Sequence, residues 1–474
     1  MADHAHDPPL RGDDDLFVPL LTSEKPASEY AIGAEAEKFG VDHLTGASLP
    51  YAAENGRSVQ TVLNSLVDHH GWTPEPESPG GPLIALRRGR ASVTLEPGAQ
   101  LELSGAPLAD IHQICAEARG HLAELREISS ELGIVWLGVG FHPFAKQADL
   151  DWVPKARYAI MREYLPTKGQ YGLDMMRRTA TVQANFDYSN EEDAMLKVRV
   201  STKLAPVTTA MLANSPFYEG KLWGGKSYRA RVWLDVDNDR AGLVPEIWKE
   251  GSKYSDYIAW ALRCPMFMFK RDGKAIDNRG QTFASFLADG FKGHRPTASD
   301  WEMHLNTLFP EVRLKRTIEI RGADSLPADL ACALPALWTG ILYDDQALRE
   351  ADELSRDYQH DEIKALRNDI PTLALQATFR GKPLADVAQR LLEIAEGGLL
   401  RRNRLSREGR DERVHLARLR SLIERGMCPA DELLSGLDET AGDFTQEMLR
   451  RAKISLARRF REGAAPCGGC LRRC

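Results

Sequence analysis

Residues 220–227 read GKLWGGKS. The string fits G-x-x-x-x-G-K-[ST], the phosphate loop of many nucleotide hydrolases, and its reading separates that fold from the alternatives. A phosphate loop follows a buried strand and opens a helix whose first N–H groups face the phosphates. The preceding stretch, ANSPFYE (213–219), is no apolar strand. The following stretch, SYRARVWLDVD (227–237), alternates with period two and reads as a strand. With the helix missing, GKLWGGKS reads as a Gly-Gly turn entering a strand. Any nucleotide must be held by other residues.

Outward from that turn, strands and helices mix irregularly. SVQTVLNSLVDHHG (58–71) and ADIHQICAEARGHLAELREISSELG (109–133) carry apolar residues at helical spacing, the second stopping at Gly133. IVWLGVGFHP (134–143) and RTATVQANFDYS (178–189) read as strands, with Thr181, Gln183 and Asn185 on one face. NEEDAMLKVRVSTKLAPVTTAMLANSP (190–216) reads as helix on both sides of Pro206, and RLKRTIEIRG (313–322) as a strand. From about Leu326 the pattern is helical. Strand-rich regions followed by segregated helices predict an α+β fold rather than a doubly wound sheet.

Composition narrows the function. Asp plus Glu outnumber Lys plus Arg by 68 to 61, a net charge of −7, which argues against a nucleic-acid partner. No run approaches the ~18 apolar residues of a membrane helix. MADHAHDPPLRGDDDLF (1–17) has no apolar core, so it is not a secretory signal, and a cytoplasmic enzyme is expected. Seven cysteines without such a signal do not suggest a secreted disulfide scaffold.

The acidic residues in strand-like settings carry the chemistry. IGAEAEKFG (32–40) places Glu35 and Glu37 on one strand face, where they repel unless a cation sits between them. SVTLEPGAQLELSG (92–105) brings Glu96 and Glu102 round a Pro-Gly turn among Val93, Leu95, Leu101 and Leu103. In RLKRTIEIRGAD (313–324), Glu319 and Arg321 share a face opposite Ile318 and Ile320. Each motif alone fits a solvated strand face. Three of them together predict a carboxylate-rich Mg²⁺ site, since hard oxygen donors suit Mg²⁺, with Arg321 placed to clamp an anionic oxygen. DVDNDRAGLVPE (235–246) mimics a Ca²⁺ loop, but its sixth position is Arg240 and a strand leads in, so calcium is not expected. Arg229, Arg231 and Trp233 are better suited to an anionic substrate. His142 is assigned no role, and no Ser-His-Asp or Cys-His nucleophile emerges.

IGAEAEKFG, VTLEPGAQLELSGAPL, GLDMMRRTATVQANFDYS, ANSPF, RVWLDVDNDRAG, HLNTLFPEVRLKRTIEIRGAD and ACALPALWTGILYDD together resemble the plant and proteobacterial type of glutamate–cysteine ligase. The likeness runs in consistent order from about residue 20 to about residue 450. It implies a glutamine synthetase-like fold, a curved antiparallel sheet lined with carboxylates and packed with helices. It also implies ATP-dependent joining of the L-glutamate γ-carboxylate to the L-cysteine amine, the first step of glutathione synthesis. By the same likeness, Glu35, Glu37, Glu96, Glu102 and Glu319 are the Mg²⁺ ligands and the acids behind them. Gln183 and Asn185 face the metal–nucleotide region, and Arg321 contacts the transferred phosphoryl group. Arg229, Trp233 and Met176 surround the substrates, with Tyr254 and Tyr257 in the amino-acid pockets. Cys115 and Cys332 match a redox disulfide of plant members. A second plant disulfide is expected to be absent, because residues 277–302 hold no cysteine.

The expected organisation is a flexible lead over 1–25, a catalytic region over 26–326, a helical region over 327–462 packed on it, and a Cys-rich tail over 463–474. The expected state is a monomer or a redox-dependent homodimer. The competing readings are a ligase with another amine acceptor and a nonenzymatic redox-sensing protein on the same fold. The presence of every acid and of Arg321 argues against the second.

Overall fold

Ile32–Asp42 (β1) alternates Ile, Ala and Ala with Gly33, Glu35 and Glu37 over its first half, and it forms the middle of the main sheet. The coordinates, a computed structural model, describe residues 7–437 and 444–454. Among them a nine-stranded sheet is built from β1, β2 (Thr73–Pro76), β3 (Leu83–Arg88), β4 (Ala91–Leu95), β5 (Leu101–Ser104), β6 (Ile134–Leu137), β7 (Thr181–Phe186), β8 (Val312–Leu314) and β9 (Ile318–Asp324). The order is β8-β9-β7-β1-β5-β4-β3-β2, and every pairing is antiparallel. β1 is shared: Glu35–Lys38 pairs with β5, and Phe39–Asp42 pairs with β6.

Period-two alternation sorts the sheet into two faces. The apolar face, with Ala184, Phe186, Ile318 and Ile320, is buried under the helices Glu191–Met211 and Ala333–Leu342. Ala333–Leu342 is apolar all round and every residue in it is buried, as a helix wrapped on all sides must be. It crosses the helix Leu384–Arg402 so closely that a Cβ on Gly340 or on Gly398 would collide with the backbone of the other helix. The polar face is left open. This is the α+β architecture expected, with helices on one side of an antiparallel sheet.

Several local expectations fail for identifiable reasons. The expected strand after GKLWGGKS is a short helix, Tyr228–Val232, capped by Ser227, whose Oγ accepts from the Ala230 N–H at 3.0 Å. Five residues satisfy both periods, and the cap decides. The rejection of a phosphate loop does not depend on that point. The preceding strand is only Phe217–Tyr218 of a small hairpin, and Lys226 is paired with Asp431 at 2.6 Å. IVWLGVGFHP is a strand only over Ile134–Leu137. RLKRTIEIRG is not one strand but the β8–β9 hairpin.

The lead is not a loose segment over its described part. Leu16 and Leu20 are 1% and 2% exposed, and the Trp301 indole N–H donates to the Leu16 carbonyl at 2.9 Å. The Ca²⁺ look-alike is an ion pair: Asp237 holds the fully buried Arg240 guanidinium at 2.7 Å. The tail with Cys467, Cys470 and Cys474 lies outside the described residues.

Because Leu20 belongs to the core, Leu20→Ala is expected to destabilise the protein by about 2–4 kcal/mol. Denaturant unfolding checks this: a midpoint equal to that of the unaltered chain would show that the lead is dispensable.

Candidate active site

The polar face of β1, β5, β7, β8 and β9 floors a cavity of about 740 Å³. Register explains which side chains meet. Glu35 lies opposite Gln183, Glu37 opposite Glu102, Glu319 opposite Asn185, and Arg313 opposite Glu319. Glu35, Glu37, Glu96, Glu102 and Glu319 all line the cavity, as do Gln183, Met176, Arg229, Trp233 and Arg321.

At one end sits a cationic cluster. Glu319 has no exposed surface, and its two oxygens accept from Arg313 at 2.7 and 2.9 Å and from Arg321 at 2.7 Å, with Lys315 at 3.0 Å. Burial alone would raise its pKa, but Arg313, Lys315 and Arg321 together hold it well below the usual carboxylate range. Arg321 also donates to Gln183 at 2.8 Å. The expectation that Glu319 ligates metal therefore needs correcting: both of its oxygens are taken, and it acts here as the anchor of three cations.

Along the floor the balance is reversed. Asn185 donates to Glu35 at 2.9 Å, and the Thr181 N–H donates to Glu37 at 3.0 Å. Glu102 accepts from Thr94 and Ser104 at 2.7 and 2.8 Å. Burial, then the charges of Glu319 and Glu102, push Glu35 up to about 7. Burial, then Glu96 and Glu102, push Glu37 well above its ordinary value against the pull of Arg229 and Arg321. Such carboxylates carry more negative charge than their surroundings neutralise, and their hard oxygens fit a divalent cation. Among the described residues, no three acidic, His or Cys side chains converge on a single ion position.

Arg229 is held by the carbonyls of Arg321 and Gly322 at 2.9 and 3.2 Å. Behind it, buried Asp324 accepts from Ser215, Ser227 and the Asn214 N–H, tying the turn ANSPF to the helix that carries Arg229. Arg229 Nε and Trp233 Nε1 are buried without an acceptor among the described residues, beside a recess of about 30 Å³ that shares Arg229, Trp233, Phe309 and Arg321 with the lining of the main cavity.

Other expected residues lie elsewhere. Asn185 does not line the cavity but positions Glu35. Tyr254 and Tyr257 are corrections. Tyr254 is buried and donates to Glu24 at 3.1 Å, and the Tyr257 hydroxyl accepts from the Leu314 N–H at 3.0 Å. Both belong to the core-facing stripe of the helix Tyr254–Arg263. Arg231 is exposed and donates to Tyr171. Arg313 and Lys315 were missed, although their alternation mirrors Glu319 and Arg321 across the hairpin. Lys155 and Arg157 also line the cavity, and nothing in their sequence context marks them. Cys115 and Cys332 are bonded, with Cα atoms 6.0 Å apart, away from the cavity lining.

The acids have a consequence for stability. Glu35 and Glu37 bind protons more readily folded than unfolded, so their favourable contribution is complete below their ordinary pKa of 4.5; that of Glu35 is lost as pH rises through about 7, and that of Glu37 as pH rises through its own raised value. Chelator-treated protein is expected to melt at lower temperature at about pH 8 than at about pH 5, and the Glu35→Gln/Glu37→Gln variant to lose most of that slope. Calorimetry at the two pH values checks it: equal slopes for both proteins would contradict the assignment.

Residues 31–452 match the family model described as glutamate-cysteine ligase family 2. The chain is 42% identical over 424 residues to the chloroplastic glutamate–cysteine ligase of Brassica juncea, covering 89% of this chain and 80% of that protein. It is 42% identical to the chloroplastic enzyme of Arabidopsis thaliana, covering 89% and 79%. It is 40% identical to chloroplastic glutamate–cysteine ligase B of Oryza sativa subsp. japonica, covering 89% and 83%. These relatives are plastid proteins by name, which overturns the expectation of a cytoplasmic enzyme. The crystal structure of the Francisella tularensis glutamate–cysteine ligase in complex with AMP superposes with a TM-score of 0.53 at 12% identity, covering 89% of this chain and 87% of that one, and so shares the fold. The chain belongs to glutamate–cysteine ligase family 2.

Proposed function

We propose that the cavity joins the γ-carboxylate of L-glutamate to the amine of L-cysteine at the expense of ATP, through a γ-glutamyl phosphate. The observation that carries this reading is the charge arrangement in one cavity, with a carboxylate floor facing a cationic end, in a chain of this family. A carboxylate is a poor electrophile at neutral pH. Phosphorylation gives it a leaving group, and the amine can then displace phosphate. Glu35, Glu37, Glu96 and Glu102, spread along the floor rather than converging on one ion position, would hold Mg²⁺ jointly with the triphosphate oxygens, and the ion would supply neutralisation of phosphate charge.

The chain's own residues do the rest. Glu319 and Gln183 fix the Arg321 guanidinium at the boundary between the acidic floor and the cationic end, where it meets the phosphoryl group in transfer. Arg313 and Lys315 add positive charge behind it, so the anionic phosphoryl group is drawn to that end. Arg229 Nε and Trp233 Nε1, unpaired beside the recess, are suited to the α-carboxylate of an amino-acid substrate. Met176 contributes an apolar wall. The state in solution is taken as monomer, with homodimer formation on oxidation as the alternative; sedimentation under oxidising and reducing conditions separates them.

Release of ADP is expected to require glutamate and cysteine together, with γ-glutamylcysteine as the product. Stimulation by another amine but not by cysteine would overturn the choice of acceptor. Arg321→Ala is expected to lower kcat by roughly 10²–10³ with a fold of ordinary stability. Glu319→Gln differs in kind: it leaves buried cations uncompensated, and is expected to cost about 3–5 kcal/mol of stability as well as activity. Melting curves recorded beside the kinetics distinguish the two effects.

A further inference from the structure

Glu37 has a charged neighbour that does not line the cavity. Lys38 follows it on β1 and, by the alternation of the strand, faces the other side of the sheet, toward the helix Ile111–Leu132. It is 3% exposed, and its Nζ donates to the carbonyls of Ala36 at 3.0 Å and Leu101 at 3.3 Å. Those carbonyls belong to β1 and β5, the strands that hold Glu35, Glu37 and Glu102. Among the described residues no carboxylate forms an ion pair with this ammonium.

The residues beside it do not balance its charge. His121, 1% exposed, lines a cavity of about 30 Å³ together with Lys38 and Ser325, and neither of its ring nitrogens has a hydrogen-bond partner among the described residues. Burial pushes its pKa down to about 4, so the ring is neutral. Glu124, one turn further along the helix, is engaged by Arg88 at 2.7 Å and by the Trp72 indole at 3.1 Å. The carboxylates that act most strongly on Lys38 are Glu102 and then Glu37, both of the cavity floor. A buried ammonium without a carboxylate partner is costly to keep, and salt screens its field little.

We propose that, given the cation-holding role proposed for Glu35, Glu37, Glu96 and Glu102, Lys38 is a positioning residue for that floor: its ammonium is the counter-charge behind the acids and limits how tightly they hold a divalent cation. The sign of the charge gives it two effects. It offsets the repulsion among the four carboxylates, so they stay close when no cation is bound. It also opposes a cation placed over them, so the ion can leave with the nucleotide product at each turnover. A lysine that only clamped β1 to β5 through the two carbonyls would act in the opposite direction. Losing a clamp loosens the floor and weakens cation binding, whereas losing a counter-charge leaves the floor more negative and tightens it.

Mn²⁺ alone is titrated into chelator-treated full-length protein at neutral pH, and the free ion is counted by electron paramagnetic resonance. Lys38→Met places an apolar chain of similar length among Leu103, Leu122, Val182 and Leu326. It is expected to bind Mn²⁺ at least about threefold more tightly than the unaltered protein. Lys38→Gln keeps an N–H donor for the carbonyls and is expected to do the same. Lys38→Arg keeps the charge and is expected to stay within about twofold of the unaltered protein. The rise in melting temperature on adding Mn²⁺ is a second readout, expected to be larger in the two uncharged variants. Equal or weaker binding in both of them, or tightening of the same size in Lys38→Arg, would overturn the proposal and leave the floor's role standing, since the unaltered protein still binds. No Mn²⁺ bound by the unaltered protein would overturn the floor's role and this one with it. If Lys38→Met fails to fold, Lys38→Gln decides by the same measure, and failure of both to fold would show a clamp and overturn the proposal.

Discussion

A carboxylate with no exposed surface, gripping three cations, is the constraint around which the cavity is organised. Removed from water, Glu319 must be paired, and the β8–β9 hairpin supplies the partners by placing Arg313 directly opposite it and Arg321 two residues along the same face. Together with Lys315 these cations outnumber the anion they surround, so that end of the cavity stays positive. The floor formed by β1 and β5 is the reverse, with acids that their hydrogen bonds do not neutralise. A triphosphate with its cation complements both ends at once. A neutral ligand would leave both uncompensated.

The acids were legible in the sequence because strand alternation puts i and i+2 on one face whatever the neighbours are. Their meeting was not legible. Glu37 faces Glu102 only because β1 pairs with β5 in one register, and that pairing is set by the whole apolar face. Arg313 and Lys315 escaped because the hairpin turn at 315–317 carries no Gly or Pro, so two strands read as one. The short helix after Ser227 escaped because its alternation was weighed above its cap. Tyr254 and Tyr257 rested on likeness alone, and the helix that bears them turns both to the core. In the lead, Leu16 and Leu20 stand four apart, the helical spacing of a buried pair, but the run of Asp13, Asp14 and Asp15 disguised it.

The back of the sheet is as closely determined as the front. The crossing of Ala333–Leu342 over Leu384–Arg402 at Gly340 and Gly398 leaves no room for a side chain at either position, so these two helices are held at one close separation. Cys332 stands at the start of the first of these helices, and Cys115 on the helix Ile111–Leu132. The disulfide thus joins two scaffold helices rather than two loops. Asp324 plays a comparable part near the cavity, gathering two serines and a backbone N–H so that Arg229 arrives from a fixed direction.

The partner exchange along β1 has a further effect. One edge of this strand is zipped first to β7 and then to β6, while the other is zipped to β5. Sliding it by one position would tear three ladders together and turn Glu35 and Glu37 into the oily side, so no misaligned form can persist long enough to matter. Evolution can therefore lengthen the chain before residue 32 or after residue 42, but between them every position is counted.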